Sequence, residues 1–149
     1  MVPFELRAID HVVLRIADLK KSLAFYGDVL GCSIDNRQDA IGLVQLRAGR
    51  SLIDLIPLDG ALGRVGGAAP GKEGRNVDHF ALQVAPFDEA AIKAHLARHG
   101  VEIVQEGQRS GAEGNGPSIY VTDPDGNVVE LKGPPVKAAF HAPWKLKGR

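Results

Sequence analysis

The sequence predicts an α+β fold made of two tandem βαβββ modules, and an internal repeat carries this prediction. A strand pattern with a histidine near its start occurs twice, at residues 9–16 and 77–84. Each copy is followed by a helical pattern ending at a glycine, Gly31 or Gly100, and later by an apolar strand that contains a carboxylate. A repeated order of this kind indicates duplicated modules with one shared architecture.

The first module is expected over about residues 8–58. Its first strand, residues 8–16, places His11 and Arg15 on one face because side chains alternate along a strand. An apolar stripe then predicts a helix over residues 19–30. Three further strands are expected at residues 33–37, 39–46 and 51–58.

A glycine-rich stretch, residues 59–76, predicts a linker without packed structure, followed by the second module over about residues 77–133. In this module the pattern predicts a helix from residue 87 or 88 to 99, a strand at 101–105, a glycine-rich loop at 106–117 and a hairpin at 118–132. The basic tail, residues 134–149, contains Phe140 and Trp144 and is expected to be either a frayed end or an arm docked on a neighbour.

Composition gives bounds on function. The chain of 149 residues suits a single domain, and its 18 basic and 18 acidic residues leave no net charge to attract nucleic acid or a membrane surface. The single cysteine, Cys32, excludes an internal disulfide and suits a reducing compartment. No signal peptide or apolar run long enough to span a membrane is recognised, so a cytoplasmic location is expected.

Two histidines and two carboxylates occupy equivalent strand positions in the repeat, and a carboxylate inside an apolar strand is costly to bury unless it is paired or binds a metal. If the two sheets pack side by side about a pseudo-twofold axis, the four side chains converge in one cup. Imidazole with carboxylate suits divalent first-row metals such as Ni, Co, Zn, Mn or Fe. The candidate ligands are His11, Asp54, His79 and Glu130.

The first strand, the helix ending at Gly31 and the final hairpin resemble the glyoxalase, bleomycin-resistance and extradiol-dioxygenase superfamily, also called the vicinal oxygen chelate fold. The phrases that carry the resemblance are Ile-Asp-His-Val-Val-Leu and Asp-Pro-Asp-Gly-Asn-Val-Val-Glu-Leu. The resemblance implies paired βαβββ modules that form a cup-shaped half-barrel around a metal site, often within a homodimer. It also implies a small-molecule substrate that chelates the metal through vicinal oxygens.

The superfamily's ligands correspond to His11, His79 and Glu130 in this sequence. The fourth ligand, a glutamate in glyoxalase I, corresponds to Asp54, whose side chain is one methylene shorter. If Asp54 does not reach the metal, two histidines and one carboxylate remain, a set similar to that of non-haem iron oxygenases and of the fosfomycin-resistance branch. Asp54 would then act as a base.

The resemblance also implies substrate-binding residues. Arg15 resembles the arginine that holds a glutathione carboxylate in glyoxalase I, a pairing that guanidinium geometry suits. Ser118 and Tyr120 resemble the serine and tyrosine of the fosfomycin-resistance hairpin, and Arg109 is the basic residue of the preceding loop. That branch needs a basic cluster for a phosphonate, and no matching arginine follows Glu130.

The favoured function is therefore a metal-dependent lyase or isomerase of glyoxalase type, with Glu130 and Asp54 as the acid–base pair. Three alternatives remain open: an iron or manganese dioxygenase, a fosfomycin-resistance-type transferase, and a drug-binding protein that needs no metal. The sequence leaves undetermined the metal, the substrate, and whether the modules pair within one chain or between chains.

Overall fold

The structure, a computed structural model, describes residue 5 and residues 7–136. Two compact units divide the chain. The first contains the described residues up to Asp78 together with Asp123–Asn127, and the second contains His79–Thr122 and the described residues from Val128 to Val136. The predicted tail with Phe140 and Trp144 lies outside the described residues.

The first unit is built on a four-stranded mixed sheet. Its strands are β1 His11–Ile16, β2 Ser33–Gln38, β3 Leu43–Ala48 and β4 Ser51–Pro57. They lie in the order β1-β4-β3-β2, with β1 parallel to β4 and the other neighbours antiparallel. Alternate side chains of β3 and β4 face the core, where Val44, Leu46, Ile53 and Leu55 are almost fully buried.

The predicted helix of this unit is present but changes its hydrogen bonding midway. It begins as an α-helix, α1 Leu19–Leu23, whose N-cap Asp18 accepts a hydrogen bond from the Lys21 amide, and continues as a π-helical segment, Ala24–Val29. The wider turn brings Phe25 and Tyr26 into the core together, with ring centroids 5.1 Å apart. The apolar stripe that predicted this helix, Leu19, Leu23, Tyr26 and Leu30, included only Tyr26 of this pair because it assumed an unbroken α-helical period.

The second unit repeats the architecture. It consists of β5 His79–Gln83, α3 Glu89–Arg98, β6 Ile103–Arg109, β7 Gly116–Thr122 and β8 Val128–Lys132. The sheet order β5-β8-β7-β6 has one parallel pair, β5 with β8, as in the first unit. Two four-stranded mixed sheets with few helices confirm the predicted α+β class. Among the described residues, no helix is long and apolar enough to cross a membrane.

Several predicted boundaries are wrong. The first strand, expected from residue 8, begins at His11. The strand expected from residue 39 begins at Leu43, because Ile41 and Gly42 donate their amides to Gln38 and Asp39 and close a turn. The strand expected to end at residue 105 continues to Arg109, along an exposed edge whose polar side chains conceal the strand pattern. The predicted linker contains a short helix, α2 Ala61–Val65. There a methyl group at Gly63 would lie 1.9 Å from the Pro57 carbonyl oxygen, so this close approach requires glycine.

The predicted turn between β7 and β8 is tightly held by Asp123, which is only 4% exposed. Its Oδ1 accepts hydrogen bonds from the amides of Asp125 and Asn127, at 2.9 and 2.7 Å. Its Oδ2 accepts from the Asn127 side chain at 2.8 Å and from the Tyr26 hydroxyl at 2.6 Å. Gly126 supplies the positive φ of 80° that the turn needs.

Candidate functional site

One face of the second unit's sheet collects polar side chains from neighbouring strands. Cross-strand register pairs Tyr120 with Glu130 and Ser118 with Lys132, and directly paired residues lie on the same face. On the parallel side, Ala81 pairs with Glu130. We call this surface the polar face of the second sheet; its members are His79, Ala81, Gln83, Gly116, Ser118, Tyr120, Glu130 and Lys132.

Glu130 is the centre of this polar face and is only 4% exposed. Its Oε1 accepts a hydrogen bond of 2.5 Å from the Ser118 hydroxyl, and its Oε2 lies 3.1 Å from His79 Nε2. The carboxylate is therefore fixed in orientation on one side by a hydroxyl and approached on the other by an imidazole. We call His79 and Glu130 the second half-site.

Tyr120 borders the second half-site. Its ring packs edge-on against the His79 imidazole with centroids 5.4 Å apart, and the Arg109 guanidinium lies 5.7 Å from its ring centroid. Burial raises the pKa of Tyr120 to about 12, with a further contribution from its hydrogen bond to Glu130, while Arg109 acts in the opposite direction. The phenol therefore stays protonated well above neutral pH, with Glu130 as its hydrogen-bond partner.

In the first unit, Asp54 is held by a chain of amide side chains that crosses three strands. Asn36 Nδ2 donates to Gln45 Oε1 at 3.1 Å, and Gln45 Nε2 donates to Asp54 Oδ2 at 3.0 Å. Asp54 is 4% exposed, and its Oδ1 has no hydrogen-bond partner among the described residues. A buried carboxylate oxygen without a partner is costly and calls for a ligand.

His11 stands on the strand next to Asp54. Its Nδ1 lies 2.7 Å from Asp10 Oδ1, which leaves Nε2 as the ring atom turned away from that contact. The hydrogen bond to Asp10 raises the pKa of His11; burial opposes this rise, and the charges of Asp54 and Asp10 add to it. We call His11 and Asp54 the first half-site.

The Arg15 guanidinium is engaged with the backbone of the glycine-rich stretch. It donates to the Gly63 carbonyl oxygen from Nε and Nη2 at 3.1 and 2.9 Å, to Gly67 O at 2.5 Å and to Ala68 O at 2.9 Å. These bonds hold the segment beside α2 against β1. The assignment of Arg15 to a substrate carboxylate stays a prediction.

The structure thus places the candidate ligands in two half-sites, each with one histidine and one carboxylate. Within the part of the chain that the structure describes, no group of three or more His, Cys, Asp or Glu side chains is arranged to hold a metal. Convergence of His11, Asp54, His79 and Glu130 on one ion therefore stays a prediction. Sequence reasoning missed Asp10 and Gln45, which orient the first half-site, and it assigned no role to Lys132 although the strand parity placed it beside Glu130.

The sequence that covers both units matches a known family. The model of the Glyoxalase/Bleomycin resistance protein/Dioxygenase superfamily matches residues 8–131. The chain belongs to this superfamily. The match includes both half-sites, which confirms the resemblance drawn from the first strand and the final hairpin.

Relatives of this chain within the superfamily carry names that describe different activities. The virulence protein STM3117 of Salmonella typhimurium is 29% identical over 83% of this chain and 81% of its own length. The glutathione transferase FosA of Serratia marcescens is 30% identical over 85% of this chain and 80% of its own length. The crystal structure of STM3117 matches with a TM-score of 0.69 at 26% identity, covering 88% of this chain and 99% of that one.

Superfamily members commonly use divalent metals, and the side chains of the half-sites fit such an ion. Asp54 Oδ1 is a buried oxygen that has no hydrogen-bond partner in the described part of the chain. The Asp10–His11 contact is the carboxylate–histidine arrangement that fixes the tautomer of a metal-binding imidazole. Carboxylate and imidazole donors together suit Mn, Fe, Co, Ni and Zn.

The two tyrosines of the chain provide a pH test of the burial around both units. Burial, reinforced by Asp123, raises the pKa of Tyr26, and the pKa of Tyr120 is raised to about 12. Because both values exceed the unfolded value of about 10, folding favours the protonated phenols, and this stabilisation is lost as pH rises from about 10 through 12. At a pH of about 10.5 we expect little tyrosinate absorbance from the folded protein, and about three-quarters of the full tyrosinate absorbance from the chain unfolded in guanidinium. Equal titration curves for folded and unfolded protein would contradict the burial of both hydroxyls.

Proposed function

We propose that this protein is a metal-dependent enzyme in which the two half-sites together hold one divalent ion, either within a chain or between the chains of a homodimer. The observation that carries the proposal is Glu130, a buried carboxylate that faces His79 at 3.1 Å and is oriented by Ser118. His11, His79 and Glu130 are the proposed ligands. Asp54 is either the fourth ligand or a base beside them.

The proposed reaction is of glyoxalase type, a lyase or isomerase step on a small substrate with neighbouring oxygen atoms. A divalent metal held there would supply Lewis-acid polarisation of a substrate oxygen. Glu130 would move the proton, as the buried carboxylate of the polar face whose Oε2 lies 3.1 Å from the His79 imidazole. Tyr120 would donate a hydrogen bond to a substrate oxygen in exchange for the one that it makes to Glu130.

A second candidate is transfer of a thiol such as glutathione to a small substrate. Two observations favour it: the 30% identity to the glutathione transferase FosA, and the basic side chains Arg109 and Lys132 in the second unit. This candidate uses the same ligands, with Asp54 outside the metal shell. Ring cleavage by a dioxygenase and metal-free drug binding are the remaining alternatives.

Metal content tests the proposal directly. We expect protein purified without a chelating tag, or reconstituted from the metal-free form, to bind about one Ni, Co, Zn, Mn or Fe ion per site formed. His11→Ala and His79→Ala should each lose the ion, whereas His99→Ala, at the exposed end of α3, should retain it. Retention in Asp54→Ala would indicate the three-ligand set. Failure of wild type to bind any of these metals would overturn the enzymatic proposal in favour of a binding protein.

Assays with three substrates then distinguish the candidate reaction classes. Metal-loaded protein is assayed with the hemithioacetal of methylglyoxal and glutathione, with fosfomycin plus glutathione, and with catechol plus oxygen. Turnover of the first supports the lyase or isomerase, turnover of the second the transferase, and turnover of the third the dioxygenase. The His11→Ala variant should be inactive with whichever substrate the wild type accepts.

A further inference from the structure

The last turn of α3 carries two histidines that belong to neither half-site, His95 and His99. The helix runs Glu89–Arg98, and His99 is its C-cap residue. Residues four apart on a helix are neighbours on one face. The two imidazole rings accordingly lie beside each other, with centroids 4.6 Å apart and ring planes inclined by 54°. His99 is exposed and His95 is half-buried, so solvent reaches the pair.

The separation of the two rings suits coordination of one metal ion. A metal-bound imidazole has its ring centre about 3.2 Å from the ion, given an N–metal distance of about 2.0 to 2.1 Å. Two such rings, at the angles of about 90° to 110° found in octahedral and tetrahedral sites, have centres about 4.5 to 5.2 Å apart. The observed 4.6 Å lies within this range. The same spacing along a helix lets two histidines bind one zinc ion in metalloproteases.

The backbone that carries the two histidines is firmly held. The His99 amide donates to the carbonyl oxygens of His95 and Leu96 at 3.3 and 3.1 Å, and the Val101 amide donates to Leu96 O at 2.9 Å. Gly100 ends the helix with a φ of 66°, and the Leu96 side chain is only 1% exposed. The C-terminal end of a helix also carries partial negative charge, which favours a bound cation there. Little backbone ordering is therefore needed for both imidazoles to bind one ion.

We propose that His95 and His99 form a surface site for a divalent transition metal, in addition to the half-sites. Within the described part of the chain, no third His, Cys, Asp or Glu side chain joins the pair. Water would fill the remaining coordination positions, so the ion is held weakly and exchanges with solution. Because two imidazoles alone impose little geometry, affinity should follow the intrinsic order of the metals, with copper above nickel, nickel above cobalt, and zinc below copper.

The test follows copper binding to the full-length protein residue by residue. Paramagnetic Cu²⁺ broadens the amide NMR signals of residues near it, so stepwise addition beyond one ion per chain reports each site separately. We expect the amides of residues 95–100 to broaden as a group, with their own apparent dissociation constant. His95→Ala and His99→Ala should each weaken copper binding there by about 100-fold, because the second imidazole no longer binds at a high effective concentration. Wild-type protein without broadening at the end of α3 would overturn the inference.

A matched control keeps the number of histidines and changes only their spacing. In the double variant His99→Ala with Ala97→His, the two imidazoles are two residues apart and do not face each other. Its copper affinity should equal that of His99→Ala, and wild-type affinity in this variant would contradict chelation by the pair.

The surface site and the half-sites are distinguished by desalting. A two-imidazole site should release its ion on desalting, so metal that remains belongs to the half-sites and tests the proposed function alone. Copper binding at α3 in a protein that retains no metal after desalting would support this inference while overturning the proposed function. Retained metal in a protein whose copper affinity at α3 is unchanged in His95→Ala would do the reverse.

Discussion

Replacing Glu130 with glutamine is expected to lower kcat by about 1000-fold or more while the protein stays folded. Glutamine retains the shape of the side chain and an oxygen that can accept the Ser118 hydrogen bond, which the wild-type structure places at 2.5 Å. It removes the negative charge that faces His79 and the capacity to take up a proton. The loss should therefore appear in turnover and in metal content rather than in secondary structure.

The measurement is kcat for metal-loaded protein on the substrate that the wild type accepts, with metal content and thermal midpoint recorded for the same samples. Glu102→Gln, an exposed carboxylate just before β6, is the matched control and should behave as wild type. If Glu130→Gln kept both its metal and its full turnover, Glu130 would be neither a ligand nor the proton-transferring group.

The largest expected effect on stability comes from Asp123→Ala, at about 3 to 5 kcal/mol. The buried carboxylate accepts hydrogen bonds from two backbone amides, from the Asn127 side chain and from the Tyr26 hydroxyl. Removing it leaves these donors without their acceptor, and the Tyr26 hydroxyl lies in the core, where water cannot easily replace the lost partner.

Urea unfolding of wild type and variant measures this difference. Asp39→Ala is the control, since Asp39 is an exposed carboxylate paired with Arg37 and its loss should cost less than about 1 kcal/mol. Tyr26→Phe should account for part of the Asp123 effect. Equal free energies of unfolding for the Asp123 and Asp39 variants would show that the turn contributes little to the stability of the first unit.

The fold class could be predicted from the sequence because the two copies of the repeat share residue types that are rare inside strands. A histidine and a carboxylate recur at equivalent strand positions in both modules, His11 with Asp54 and His79 with Glu130. Element boundaries were less predictable. The π-helical turn at Ala24–Val29 is not marked by any periodic spacing of apolar residues in the sequence. The exposed end of β6 lacks the alternation of apolar and polar residues that marks a strand.

Candidate site residues could be predicted where the sequence places a charged side chain inside an apolar strand. Glu130 was found because a carboxylate in an apolar strand requires a partner. Asp10, Gln45 and Lys132 were missed for different reasons. Gln45 contacts Asp54 from the neighbouring strand, and the sequence does not show which strands are neighbours. Asp10 is an exposed residue next to His11 in the chain. A lysine at the end of a strand usually reaches solvent, whereas Lys132 is buried. The contact between Gln45 and Asp54 becomes visible only once the pairing of β3 with β4 is known.

The turn Asp123–Asn127 affects when the first unit can be completed during translation and how the chain can be divided into fragments. This turn belongs to the first unit, although the strands that it joins, β7 and β8, belong to the second. A nascent chain that has emerged only as far as Asp78 therefore lacks the carboxylate that Tyr26 bonds in the finished protein. The first unit is therefore complete only after the turn Asp123–Asn127 has been synthesised. Expressing the two halves as separate fragments would consequently divide the first unit rather than isolate it.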